Sequence, residues 1–162
     1  IYDHNTRRIT RTGSLRTARA LHGVALLPST TGNRVLAAGG LSGDVQAGGT
    51  AVTSAEIYDP TTNSWTATAS MQTARALPAM MRLRDGKVGA FGGDGGNLYT
   101  PMPLAQCETF DPTTNTWSAL PAMNTARTGA SVVELTGCGI WALGGGSGST
   151  ATTIGTAELL TR

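Results

Sequence analysis

Tyr58-Asp59-Pro60-Thr61-Thr62-Asn63-Ser64-Trp65 returns 52 residues later as Phe110-Asp111-Pro112-Thr113-Thr114-Asn115-Thr116-Trp117. Each copy leads, 10 residues beyond its tryptophan, to an arginine: Arg75 after the first, Arg127 after the second. Further out, the doublets Gly39-Gly40, Gly92-Gly93 and Gly144-Gly145 each close a short apolar run. Self-similarity at a period of about 50 residues marks stacked copies of one small unit, and stacking is what buries their apolar faces.

The middle copy predicts its own strands. Residues 75–83 are apolar enough for a buried first strand, and Arg84-Asp85-Gly86 is a tight hairpin turn, because Asp-Gly reaches positive φ at little cost. Residues 87–91 form a second strand running into Gly92-Gly93, and 94–105 a longer irregular loop. Residues 106–110 alternate as a third strand, 111–115 turn, and 116–120 form a fourth. Composition agrees: only 14% of residues are charged, Gly numbers 22, and Gly, Thr, Val and Pro recur in short bursts. The class is all-β. A four-stranded antiparallel sheet with two apolar faces must pack against copies of itself, and radial packing of such sheets makes a β-propeller.

The Gly-Gly doublet, the Tyr-Asp-Pro-Thr-Thr-Asn-x-Trp run and the following Met-x-Thr-Ala-Arg together resemble kelch repeats, over essentially the whole chain. The resemblance implies a structural part for each element. Gly39, Gly40, Gly92, Gly93, Gly144 and Gly145 would sit where a Cβ meets a neighbouring blade. Tyr58, Trp65, Phe110 and Trp117 would fill the space between blades. Pro would fix φ in the turn, with the Asp and Asn side chains capping its backbone.

Aligned on the repeat, residues 1–162 form a single propeller segment. Residues 1–12 supply the end of a third strand and a fourth strand, with Ile9 where tryptophan is expected. Residues 14–68 form a first blade, 71–120 a second, and 123–162 a third lacking its fourth strand. Three blades are fewer than the four to eight of closed propellers. The chain is therefore expected to be an arc of a larger propeller, or half of a two-chain six-bladed ring in which residues 7–12 of one copy complete the last blade of the other.

Candidate chemistry is sparse, and no catalytic residue and no cofactor are assigned. His4 and His22 are the only histidines; His22 reads as a packing residue and His4 replaces the turn proline. No His-Cys-carboxylate cluster has metal-ligand spacing. The Gly-rich stretch 92–96 precedes no helical pattern, so it is not read as a phosphate loop. Cys107 and Cys138 read as free thiols. The net charge of +2 comes from scattered arginines and the single Lys87, which argues against nucleic acid, and no apolar run is long enough for a membrane span. The Gly/Thr-rich, lysine-poor surface leans toward an extracellular setting.

Arg19, Arg75 and Arg127 each open an innermost strand and should ring the central channel near one face. Two readings stay open: each bonds carbonyls of a neighbouring blade's loop, or each offers a guanidinium fork to an acidic ligand. The same face should carry the dissimilar loops 41–53, 94–105 and 146–155, in which Asp44, Tyr99 and Met102 are the most contact-capable residues. The expected function is a non-catalytic scaffold binding protein or glycan on that face, with self-association completing the propeller as a further possibility. The alternative is a supporting part of a larger secreted enzyme, similar to galactose oxidase or carbohydrate-active, with its active site outside this chain.

Overall fold

The computed structural model describes residues 1–28, 32–150 and 152–161. Residues 29–31 of the first expected blade and Ala151 and Arg162 of the third lie outside the described residues. Regular structure among the described residues is strand, apart from one 3₁₀ turn at Val45–Ala47. A hairpin of β1 (Tyr2–Asp3) and β2 (Arg8–Ile9) comes first. The first sheet holds β3 (Gly23–Leu27) and β4 (Arg34–Ala38), a small hairpin of β5 (Leu41–Ser42) and β6 (Thr50–Ala51) intervenes, and β7 (Ala55–Asp59) and β8 (Ser64–Thr68) complete it. The second sheet is β9 (Ala79–Arg82), β10 (Val88–Phe91), β11 (Cys107–Asp111) and β12 (Thr116–Leu120). The last holds β13 (Ser131–Leu135) and β14 (Gly139–Leu143), then the small hairpin of β15 (Gly146–Ser147) and β16 (Thr152–Thr153), then β17 (Ala157–Leu160). Every pairing is antiparallel between successive long strands, so each sheet is an up-and-down blade: two of four strands and one of three.

The first strand of the middle blade is shorter than expected. It begins at Ala79 instead of residue 75, because Leu77 stands at φ +49° ahead of Pro78 and breaks the extended run. Arg75 therefore precedes the strand. The Asp-Gly turn is as expected, with Gly86 at φ +87° and the Lys87 amide donating to Asp85 Oδ1 at 3.1 Å.

Blades pack through their first strands, β3 beside β9 and β9 beside β13. Two buried clusters fill the gaps. One unites Leu27, Leu36 and Met71 with Val88, Phe110 and Trp117; the other unites Leu83, Phe91 and Cys107 with Met123, Ile140 and Ala142. The expected clash with a neighbouring blade holds for Gly39 and Gly92 only; a Cβ on Gly40, Gly93 or Gly145 would instead meet its own blade, at the Ala20, Ala76 or Thr128 carbonyl, and one on Gly144 only the Ile154 carbonyl of its own blade. A Cβ on Gly39 would collide with the Arg75 carbonyl oxygen, and one on Gly92 with that of Arg127. The same two carbonyls accept the amides of Gly40 and Gly93 at 2.9 and 2.8 Å. Leu77 N donates to Leu21 O at 2.8 Å and Gly129 N to Leu77 O at 3.3 Å, so backbone bonds also link the three blades near the axis.

The Asp-Pro-Thr-Thr-Asn turn divides its work differently from expectation. Asp59 Oδ1 and Asp111 Oδ1 do cap the turn, each accepting an amide two residues on at 2.8 Å. The asparagines instead adopt positive φ and reach the segment before the blade. Asn63 Oδ1 accepts from Gly13 N at 3.0 Å and Asn115 Oδ1 from Ala69 N at 3.2 Å. The tryptophans do likewise: Trp65 Nε1 donates to Gly13 O at 3.1 Å and Trp117 Nε1 to Ala69 O at 2.9 Å. Residues 1–10 repeat this hairpin, with Tyr2 opposite Ile9 as Tyr58 is opposite Trp65 and Phe110 opposite Trp117. The outer faces of the first and last blades expose Val24 and Leu26, and Val133, Leu135 and Leu159.

Candidate functional site

An antiparallel meander sends alternate connections to opposite ends of each blade. The short turns at 84–87 and 111–115 fall at one end. Loops 41–53 and 94–105 and the described residues of 146–155 fall at the other, together with the segments that carry Arg19, Arg75 and Arg127.

The arginines do not project from that end. Their side chains are fully buried, and each guanidinium is directed into its own blade. Arg75 Nη1 donates to Gly92 O at 2.6 Å and Gln106 O at 2.7 Å. Arg19 does the same to Gly39 O and Ser54 O, and Arg127 to Gly144 O and Thr156 O, at 2.7–2.8 Å. These carbonyls lie at the two ends of each long loop, so the arginine ties the loop's neck. Of the two sequence readings, bonding to carbonyls matches the geometry, with the correction that the carbonyls belong to the arginine's own blade. The guanidinium forks are used internally and are not turned to an acidic ligand.

Each arginine is paired with a glutamate on the third strand of its blade. Nη2 lies 2.9 Å from Glu56 Oε1 for Arg19, 2.6 Å from Glu108 Oε1 for Arg75, and 3.0 Å from Glu158 Oε1 for Arg127. The carboxylate also accepts two amides from the incoming segment: Arg16 and Thr17 on Glu56, Gln72 and Thr73 on Glu108, Asn124 and Thr125 on Glu158. Burial pushes the carboxyls of Glu56 and Glu158 up, but the amides and the guanidinium outweigh it and hold both below the usual range. A buried charge pair with its remaining acceptor sites filled is the arrangement that makes ionic burial tolerable. These glutamates were not among the residues the sequence singled out, although Glu56, Glu108 and Glu158 recur in step with the arginines.

With the arginines neutralised, the loop face has a different character. Asp44, Tyr99 and Met102 all lie on it. Asp44 is exposed and caps the 3₁₀ turn, accepting from Gln46 N at 2.9 Å. Tyr99 is 68% exposed, and its hydroxyl donates to Gln46 O, which ties the second loop to the first. Leu98 N donates to Gly48 O at 3.2 Å, reinforcing that contact. Met102 is exposed, while its amide is held by Asp94 Oδ1 at 2.8 Å. Between the loops and the axis lies a pocket of about 150 Å³, walled by Leu21, Leu41, Leu77, Leu98 and Pro101, with Asp94 and Thr128 also lining it. The sequence reading did not find this pocket.

The remaining candidates fall elsewhere. His22 lies against Gly40, and burial followed by the Arg19 charge pushes its pKa down, so the ring is neutral at pH 7. Cys107 is buried, and its thiol is pushed up by burial; Cys138 is exposed and also free. Among the described residues no three or more His, Cys, Asp or Glu side chains gather as a metal site, and no helix is long and apolar enough to cross a membrane.

The family model of the kelch motif matches residues 27–72, which run from the end of β3 through the first Tyr-Asp-Pro-Thr-Thr-Asn-x-Trp run to the segment before Arg75. The chain is a kelch-repeat protein. It is 33% identical over 145 residues to Kelch domain-containing protein 8B of Rattus norvegicus and 32% identical to that of Mus musculus, in each case over 82% of this chain. A 91-residue stretch is 35% identical to the protein of the same name from Homo sapiens. The chain spans 37% of the length of the two rodent relatives. Membership of the kelch family points to a protein-interaction scaffold.

Proposed function

We propose that the chain is a non-catalytic binding scaffold that holds a partner polypeptide on its loop face. The observation that carries this reading is the display of Leu98, Tyr99 and Met102 as exposed side chains on a backbone already fastened. Asn97 Oδ1 accepts the amides of Tyr99 and Thr100, each at 2.9 Å, and Asp94 Oδ1 those of Gly96 and Met102, each at 2.8 Å. Loops ordered before contact lose less entropy on binding. The apolar walls of the neighbouring pocket favour a polypeptide over a glycan, whose many hydroxyls would lose their hydrogen bonds there. The open apolar faces of the first and last blades would take further blades, from a longer chain or a second copy.

The test compares three forms of the full-length protein purified from its native cells: wild type, Leu98→Glu with Met102→Glu on the loop face, and Thr113→Glu at the opposite end. Partners retained by wild type and Thr113→Glu but lost from the loop-face variant are expected. Retention by all three forms refutes the assignment of the face.

A further inference from the structure

The pocket beside the axis has an unusual polar content for so apolar a wall. Asp94 is 92% buried by side-chain and backbone packing (8% exposed) and lines it. Its Oδ1 is committed to the amides of Gly96 and Met102, while among the described residues Oδ2 takes no hydrogen bond. Thr128 lines the same pocket, and its Oγ1 is buried without a hydrogen-bond partner. The buried hydroxyl left unsatisfied is costly unless something supplies a partner, and the Asp94 Oδ2 beside it is an unused acceptor that is not itself sealed from solvent.

Two further observations bear on what that is. Leu21 and Leu77, which wall the pocket, stand at φ +54° and +49° with side chains about two-fifths exposed, whereas the third blade has Gly129, at φ +60°, in the corresponding place. Glycine adopts this conformation without strain, so the two leucines hold apolar surface at the pocket where the backbone alone would favour glycine. The charge is one-sided as well. Loops 41–53, 94–105 and 146–155 contain Asp44 and Asp94 and no lysine or arginine, and Arg19, Arg75 and Arg127 are internally paired.

We propose that this pocket receives one basic side chain, a lysine, from the partner polypeptide, with its aliphatic stem against Leu21, Leu77 and Leu98 and its ammonium on Asp94 Oδ2 and Thr128 Oγ1. The inference rests on the loop-face reading and deepens it by naming the anchor. A lysine fits on three counts. Its ammonium carries donors only, both unsatisfied atoms can accept, and its stem is apolar along its length. A volume of about 150 Å³ elsewhere holds one benzene-sized group, so the pocket takes a single side chain.

The test is a titration of the full-length protein, with leucine methyls labelled for NMR, by three probes: acetyl-Gly-Lys-Gly-amide and its norleucine and glutamate counterparts. The lysine probe is expected to shift the Leu21, Leu77 and Leu98 methyls saturably and to bind about tenfold more tightly than norleucine. Asp94→Asn keeps an oxygen for the Gly96 and Met102 amides and should abolish that preference while leaving norleucine binding unchanged. Should this variant misfold, Thr128→Val reads the same contact from the other side and should reduce the lysine preference severalfold.

Equal binding of lysine and norleucine overturns the proposal. So does a lysine preference that survives both substitutions, tighter binding of the glutamate probe, or no methyl shift with any probe. If it fails while the Leu98→Glu, Met102→Glu variant still loses its partners, the scaffold reading stands without the lysine anchor. If that variant also keeps its partners, both fall.

Discussion

Replacing Glu108 by Gln removes one charge from the middle blade and leaves Arg75 buried beside a neutral amide. The pair is 2.6 Å apart, with side-chain exposures of 0% and 2%, so solvent does little to soften the loss. Breaking a buried pair by removing one partner costs about 3–5 kcal/mol. For a chain of this size each kcal/mol moves Tm by about 2–4 °C, so a drop of about 6–20 °C is expected. Glu158→Gln should cost less, because that side chain is 11% exposed. Arg75→Met should cost more than Glu108→Gln by about 1–3 kcal/mol, since Gly92 O then loses its arginine donor and Gln106 O one of two donors. Urea unfolding followed by tryptophan fluorescence reads all three variants, with Trp65, Trp117 and Trp141 reporting one blade each. A cost under about 1 kcal/mol for Glu108→Gln, well below the range for a broken buried pair, or an Arg75→Met no worse than it, would show that the pair does not hold the loop neck in this way.

Three further outcomes follow from the same geometry. Gly92→Ala places a Cβ against the Arg127 carbonyl at φ +58° and should cost about 2 kcal/mol or more, whereas Gly86→Ala, at φ +87° in open space, should cost about 1 kcal/mol; equal costs in urea would contradict the blade contact. Glu56 and Glu158 have folded-state pKa values below their unfolded ones, so their stabilisation is full above the unfolded value and is lost as pH falls through the folded one; the urea midpoint should hold from pH 7 to about 5 and then decline, and a flat profile to pH 3 would contradict this. Leu77→Gly should leave stability unchanged or raise it by about 1 kcal/mol through relief of positive φ, while weakening partner capture; a large loss of stability would show that Leu77 is a packing residue.

The blades were legible because each repeat carries its own strand, turn and glycine signals within about 50 residues, and such local signals are what periodicity detects. The arginines were legible as recurring residues at the loop end. Their direction was not, because it depends on Glu56, Glu108 and Glu158 lying across two strands. Those glutamates recur at intervals of 52 and 50 residues, and a carboxylate appearing once per repeat at the second position of a third strand, as an arginine appears once per repeat before the first, is the signal that could have found the pair. The shift of the first strand to Ala79 was hidden because Leu77 is a residue type that seldom takes positive φ. The pocket had only a partial sequence signature. Leu21 and Leu77 share a repeat position two residues after Arg19 and Arg75, but Leu98 and Thr128 come from other positions, so the repeat does not bring the wall together.

On the proposed function, the buried arginine–glutamate pairs leave the variable loops as the surface that meets a partner. Photo-crosslinking in native cells tests it most directly, with p-benzoylphenylalanine placed in the full-length protein at Leu98 and, separately, at Thr113. Discrete adducts from position 98 and none from 113 are predicted. Adducts confined to 113, or equal from both ends, would contradict the claim.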